Sequence, residues 1–420
     1  NGAGKTAFLD AIASLLRTLL DGIEGKEKRP ILQPFDTRRT QSPQHAMEPV
    51  FPTTLLALYA WPNEWNRWGI EKTSEDADHT IPRRRTWDAN VLAAAHHLRH
   101  AVQNDLSDAS RTPTTLPVFA YYGTQRLWDT RQIAPRENKD PTPNARLRGY
   151  QDCLHSSARY ASFVDWFRRY ASEAQFRPNS PHQPKERLEC VRNAIRHVLA
   201  PQGIEDIAWD FVEETVVVQH RTQGTLPADA MSDGIRTMLG LVGDLAHRAV
   251  RLNPHLGKEA AKQSDGLVLI DEVDLHLHPD WQQHILALLF AAFPRLQFVV
   301  TTHSPQVLST IHADAIRVLS VDDEGAVHVL TPTQQTRGVE SPDVMASVMG
   351  IDPLPPVPEA HWMQEYRALA EQGFADTPEA QRKRERIEKH FGSQHPLLLG
   401  IDRLRRFQQF KQRRASNTEP

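Results

Sequence analysis

Leu267, Val268, Leu269 and Ile270 form an unbroken apolar run that ends in two adjacent carboxylates, Asp271 and Glu272. Such a run reads as a strand buried on both faces, the kind found in parallel sheets. Open α/β sheets carry their ligand chemistry at the carboxyl ends of such strands. The chain also opens with Asn1, Gly2, Ala3, Gly4, Lys5 and Thr6, most of a phosphate-binding loop. The full pattern is G-x-x-x-x-G-K-[ST], and its first Gly would lie two residues before Asn1. Together the two features predict an α/β fold that hydrolyses a nucleotide.

Each residue in this pattern has a chemical reason. Phe8, Ile12, Leu15, Leu16 and Leu19 recur at helical spacing, so the loop opens a helix. Glycines let backbone N–H groups curl around phosphate, and the helix N-terminus adds a positive dipole end. Lys5 is placed to reach the β- and γ-phosphates, and the Thr6 hydroxyl to coordinate Mg²⁺. Asp271 is expected to hold Mg²⁺ through water, and Glu272 to act as general base on the attacking water. The bland alternatives are a Gly-rich helix cap with an incidental Lys, and a strand end with two solvated acids.

Two further segments fit the same chemistry. Val299, Val300, Thr301 and Thr302 run into His303, again at a strand end. A His there can contact the γ-phosphate or position water, although a lone strand-end His is more often structural. Ser232, Asp233 and Gly234 precede an apolar helix carrying Met238, Leu239, Leu241, Val242 and Leu245. A Ser, a Gly and a helix N-terminus make a second anion-binding surface, or simply an N-cap.

The whole chain sets bounds. Its 420 residues can bury a sizeable core and hold two or three lobes. A net charge of −3 gives no global basic field for nucleic acid. Two cysteines, Cys153 and Cys190, without paired spacing suggest a reducing, cytoplasmic setting and no zinc framework. No apolar run reaches the roughly 18–20 residues of a membrane span, so no membrane partner is expected. The chain starts without Met inside a motif, so the strand before the loop and any targeting signal lie outside it.

Patterning predicts helices at 5–20, 88–103, 232–252 and 280–292, and strands at 53–61, 65–72, 116–122, 267–271 and 297–302. Residues 206–219 alternate as strands, 315–331 read as a hairpin, and 130–200 read as polar and helical with a break at 178–184. Residues 340–414 read as mostly helical.

The four sites, in this order, resemble the ABC-type ATPases, in the branch shared with SMC proteins, RecF and OLD-type ATPases. The resemblance makes Asn1–Thr6 the Walker A loop, Asp271–Glu272 the end of Walker B, Ser232–Gly234 the signature and His303 the switch histidine. Ser232, Asp233, Gly234, Ile235 and Arg236 match the Ser-x-Gly-x-Arg form of the DNA-linked branch rather than the transporter form. Leu275 to Pro279 resembles the D-loop of the OLD-like branch, with His276 and His278 read as structural. Gln125 falls where the Q-loop glutamine, a metal contact, would be. Residues 231–250, 267–310 and 338–411, with Tyr121 to Leu127, resemble a bacterial group of ATP-binding proteins that includes the PtuA ATPases of Septu antiphage systems.

The resemblance implies a P-loop NTPase of ABC-ATPase type, with a RecA-like parallel core, an antiparallel β subdomain, an inserted helical lobe and a C-terminal helical extension. The corresponding boundaries are 1–129, 130–200, 201–335 and 336–420. It implies ATP and Mg²⁺ as cofactors, and a head-to-tail homodimer in which Ser232 and Gly234 of one protomer cap ATP held at Lys5 of the other. Asp322, Asp323 and Glu324 read as turn acids, so no nuclease is expected within the chain. The nuclease would be a separate, HNH-type protein in a PtuA-like defence complex. The alternatives are a RecF-like repair ATPase on DNA, a transporter ATPase subunit, and a nucleotide-binding scaffold that barely hydrolyses. The Arg-rich 402–414 segment reads as a solvated helix face or a phosphate-binding one.

Overall fold

The apolar run around Leu267 becomes the central strand of a parallel three-stranded sheet. The computed structural model describes residues 4–25, 39–41, 47–49, 53–60, 65–72, 81–82, 88–107, 112–124, 146–155, 160–180, 183–323 and 325–416. Gly266–Ile270 lies between Val118–Tyr122 and Leu296–Val300, parallel to both. The register sets Tyr121, Leu269 and Val299 in one row and Tyr122, Ile270 and Val300 in the next. Because strand side chains alternate, these rows face opposite sides of the sheet. Leu9 and Ala13 of the Lys5–Glu24 helix pack with Tyr121 and Leu269 on one side. On the other, Tyr122, Val268 and Ile270 join a larger core with Met238, Leu241, Val242 and Leu245 of the Asp233–Leu252 helix. Both faces are covered, which is why the strand is apolar at every position.

Helices Tyr160–Phe176 and Pro184–Leu199 supply Phe163, Phe167, Val191, Ile195 and Val198 to this same larger core. Antiparallel pairs flank it: Thr53–Ala60 with Trp65–Lys72, Ile204–Asp210 with Thr215–His220, and Val318–Val321 with Val327–Leu330. The hairpins occur at the segments read as strands from sequence, of which 206–219 were marked by alternation. The expected 280–292 helix is instead two pieces, Pro279–Gln282 and Ile285–Ala292. The N–H of His284 bonds to the Trp281 carbonyl, an i→i−3 closure that tightens the chain and interrupts the α-helix.

Two compact units are present, 1–339 and 340–420. In the second, Met363, Tyr366, Ala380, Ile387, Leu398 and Ile401 make a small core of their own. Its helices Pro378–Phe391 and Pro396–Ser416 are joined by an ion pair of Arg384 with Asp402, with Nη2 to Oδ2 at 2.9 Å. The architecture is α/β, with a parallel sheet core, antiparallel strands and a helical C-terminal region. No helix among the described residues is long and apolar enough to cross a membrane.

Candidate nucleotide site

Gly4 adopts φ 85°, the left-handed region that favours glycine, and a Cβ there would point into open space. The chain turns there into the Lys5–Glu24 helix. Thr6 is in the first turn. Its hydroxyl donates to Asp271 Oδ2 at 2.8 Å, joining the phosphate-loop helix to the acidic strand end. One turn on, Asp10 accepts a 2.8 Å hydrogen bond from the Tyr121 hydroxyl. Burial, reinforced by Asp10, pushes the Tyr121 phenol well above its ordinary pKa, so it stays a donor at neutral pH.

Asp271 is 3% exposed. Its backbone N–H continues the ladder to the Tyr122 carbonyl at 2.8 Å. Its Oδ1 accepts from the Thr301 hydroxyl, and the same hydroxyl oxygen accepts from the Glu272 N–H at 2.8 Å. Thr301 thus fixes both members of the acid pair. Glu272 itself takes φ 48°, rare for a residue with a side chain, and marks a sharp turn out of the strand. The turn closes through Leu275 N–H to the Glu272 carbonyl and Leu277 N–H to the Asp274 carbonyl.

His303 sits in a segment pinned on either side. The Thr302 hydroxyl donates to Asp274 and accepts from the Ser304 N–H, while the Ser304 hydroxyl donates to Gln282 Oε1 at 2.6 Å. Gln282 in turn donates to the Leu277 carbonyl at 2.9 Å. The two strand-end loops are therefore one hydrogen-bonded unit, with His303 half-buried in it.

Ser232 occupies the N-cap position of Asp233–Leu252, but its hydroxyl makes no capping hydrogen bond. Ser232 and Asp233 are exposed, whereas Gly234 is buried. A Cβ on Gly234 would come within 2.5 Å of the His276 carbonyl oxygen, so two backbones touch where only glycine fits. His276 has φ 64°. Asp233 is held below the usual carboxylate range by its hydrogen bond to Arg236. His278 caps the next helix turn, its Nδ1 accepting from the Asp280 N–H at 3.3 Å. Asp322 accepts from the Ala326 N–H and pairs with His328, and so ties its own hairpin.

Of the site residues expected from sequence, Gly4, Thr6, Asp271, Glu272 and His303 stand at the loop, the strand end and its tied neighbour. Lys5 opens the helix, half-buried. Ser232, Asp233 and Gly234 lie instead against the turn at His276. Asn1, Gly2, Ala3 and Gln125 lie outside the described residues. Thr301, Asp10 and Tyr121 were missed. Thr301 carried a usable signal, a hydroxyl at the end of the strand next to the acidic one. Thr6 and Asp271 bring a hydroxyl and a carboxylate oxygen together, donors of the type a hard divalent cation takes.

The chain is similar to several known proteins. Residues 105–309 match the family described as "AAA domain, putative AbiEii toxin, Type IV TA system". The chain is 36% identical over 164 residues to "Retron Vc95 probable ATPase" of Vibrio cholerae serotype O1 biovar El Tor, covering 38% of this chain and 31% of that one. It is 26% identical over 139 residues to "Septu protein PtuA" of Bacillus thuringiensis, covering 32% and 35%. The chain thus spans about a third of the length of these curated relatives. Among solved structures it resembles an SMC head bound to the C-winged helix domain of ScpA, with TM-score 0.43, 14% identity and coverage of 79% and 88%. Residues 105–309 are thus similar to an AAA domain, and the chain is similar over about a third of its length to a probable retron ATPase and to the Septu protein PtuA.

Proposed function

We propose that this chain binds and hydrolyses ATP as an ABC/SMC-like ATPase. The observation that carries the reading is the hydrogen bond between Thr6 and Asp271, which joins a phosphate-loop hydroxyl to a buried strand-end carboxylate. Gly4 and the helix it opens would cradle the phosphates, with Lys5 neutralising them. Thr6 and Asp271 fit Mg²⁺, which when bound supplies charge neutralisation on the phosphates. Glu272 would accept the proton of the attacking water, and His303 would position that water. Ser232, exposed, and Gly234 beside it would serve a nucleotide on a second copy of the chain, giving a head-to-tail dimer.

The retron and Septu relatives support a reading of the biological setting. The reading is a regulatory ATPase of an antiphage defence complex, working with a separate nuclease. The chemistry is tested by Glu272→Gln in the full chain. ATP binding should persist, turnover should fall about 100-fold or more, and the ATP-bound dimer should persist in size-exclusion chromatography. Turnover at the parental rate would remove Glu272 from the role of base.

A further inference from the structure

Away from the loop at Gly4, three helices bring cationic side chains together with no acid paired to Arg187 or Arg251 among the described residues. Arg187 lies on Pro184–Leu199, His247 and Arg251 on Asp233–Leu252, and Tyr170 and Trp166 on Tyr160–Phe176. Arg187 Nη1 donates to the Tyr170 hydroxyl at 2.7 Å, and its guanidinium carbon lies 5.4 Å from the centre of that ring. Trp166 stacks 4.8 Å from Tyr170 and 4.2 Å from His247. The Nε atoms of Arg187 and Arg251 and Nε2 of His247 are buried and make no hydrogen bond.

Several carboxylates on these helices are already engaged. Asp165 is held by Arg168 and Arg169, Glu173 accepts from Ser180, and Asp244 is shared by Tyr122 and Arg248. Arg251 therefore carries a half-buried charge with no ion-pair partner among the described residues, an arrangement that folding alone penalises. Burial lowers its pKa; the Tyr170 phenol opposes this, while Arg187, Arg148 and Arg169 lower it further. Burial, with Arg251, Arg248 and Arg187, likewise keeps His247 neutral.

We propose that Arg187, His247 and Arg251, gathered around Tyr170, form a second anion site that takes phosphate groups. Guanidinium forks match phosphate oxygens in pairs, and the phenol and imidazole add uncharged donors. A single carboxylate would leave most of these donors unmet, whereas a phosphate or a run of phosphodiesters would fill them. The phosphates could be those of a nucleic-acid strand or of a free polyphosphate, and both are tested.

The full chain carrying Lys5→Ala, which silences the loop at Gly4, is titrated with tripolyphosphate by calorimetry and with a fluorescent oligothymidylate by anisotropy at low salt. Arg251→Gln and Arg187→Gln should each weaken the bound probe about tenfold or more. Arg168→Gln, exposed and paired with Asp165, should stay within about twofold. Without probe, Arg251→Gln should melt no lower than its parent, because it removes an uncompensated charge; a folded, non-binding variant is then distinguished from an unfolded one. Binding of the oligonucleotide, with affinity falling steeply in salt, identifies the strand as the source. Binding of tripolyphosphate alone identifies the free anion. The proposal is overturned if neither probe binds the parent, or if both arginine variants bind as the parent does. It stands or falls apart from Glu272 and from ATP turnover.

Discussion

The Thr6 hydroxyl and the Asp271 carboxylate meet at 2.8 Å across 265 positions of sequence. Asp271 is also fixed from the adjacent strand by Thr301, which accepts at the same time from the Glu272 N–H. Removing the Thr301 hydroxyl alone would leave the shape of the side chain intact. Thr301→Val should therefore lower stability by about 1–3 kcal/mol and reduce ATP turnover about tenfold or more. Thermal melts and a phosphate-release assay read the two effects. An unchanged turnover would mean that Thr301 does not orient the acid pair.

Gly234 and Ser232 should separate structure from function. Gly234→Ala forces a methyl against the His276 carbonyl oxygen, so it should destabilise by about 1–3 kcal/mol and reduce turnover. Ser232→Ala touches an exposed hydroxyl that caps nothing, so its melt should move by less than about 0.5 kcal/mol while turnover still falls. A Ser232→Ala chain with full turnover would leave the signature segment without a role.

The central strand, the strands within 206–219 and the Asp233–Leu252 helix could be read from an unbroken apolar run, alternation and helical spacing because those patterns are local. What joins them could not. Asn253 looks like an ordinary residue after a helix, yet it is fully buried, accepts from the Leu116 N–H at 2.7 Å and donates to the Leu116 carbonyl and to Ser264. Its role exists only when residues 137 positions apart are brought together. The pairing of Tyr122 with Asp244 is similar: both lie inside apolar runs, where nothing local marks a polar contact. The acid pair was legible because its chemistry is written in adjacent residues, whereas the hydroxyls that hold it, those of Thr6 and Thr301, lie on other elements.

Asp244 accepts from the Tyr122 hydroxyl at 2.8 Å and from Arg248 Nε at 2.7 Å, and Arg248 reaches the Gly149 and Gln151 carbonyls. Asp244→Ala would strand the buried Arg248 and should cost about 3–5 kcal/mol. Adding Arg248→Met to that variant should recover part of the loss, because the unpaired charge is then gone. Chemical denaturation of the single and double variants tests this; no recovery would show that the carbonyl contacts matter more than the charge.

In the second unit, the hydrogen bond from Arg384 holds the Asp402 carboxyl below its ordinary range. A folded pKa below the unfolded one stabilises above the unfolded value, about 4, and the gain disappears as pH falls through the folded value. Asp402→Asn should therefore melt below the parent at pH 7, with the two curves converging in acid below about pH 4. A gap that stays constant with pH would assign the effect to packing.

The order of strands in the parallel sheet also bears on how the chain is made. The Lys5–Glu24 helix and the Val118–Tyr122 strand leave the ribosome long before Gly266–Ile270, the strand that lies between Val118–Tyr122 and Leu296–Val300. Until then Leu9, Tyr121 and Val118, all buried in the finished fold, have no sheet to pack on. Contacts this distant in sequence form slowly and leave apolar surface exposed in the interim. Synthesis of this protein should therefore depend on factors that hold nascent chains, and truncation before residue 266 should yield aggregates rather than a smaller folded domain.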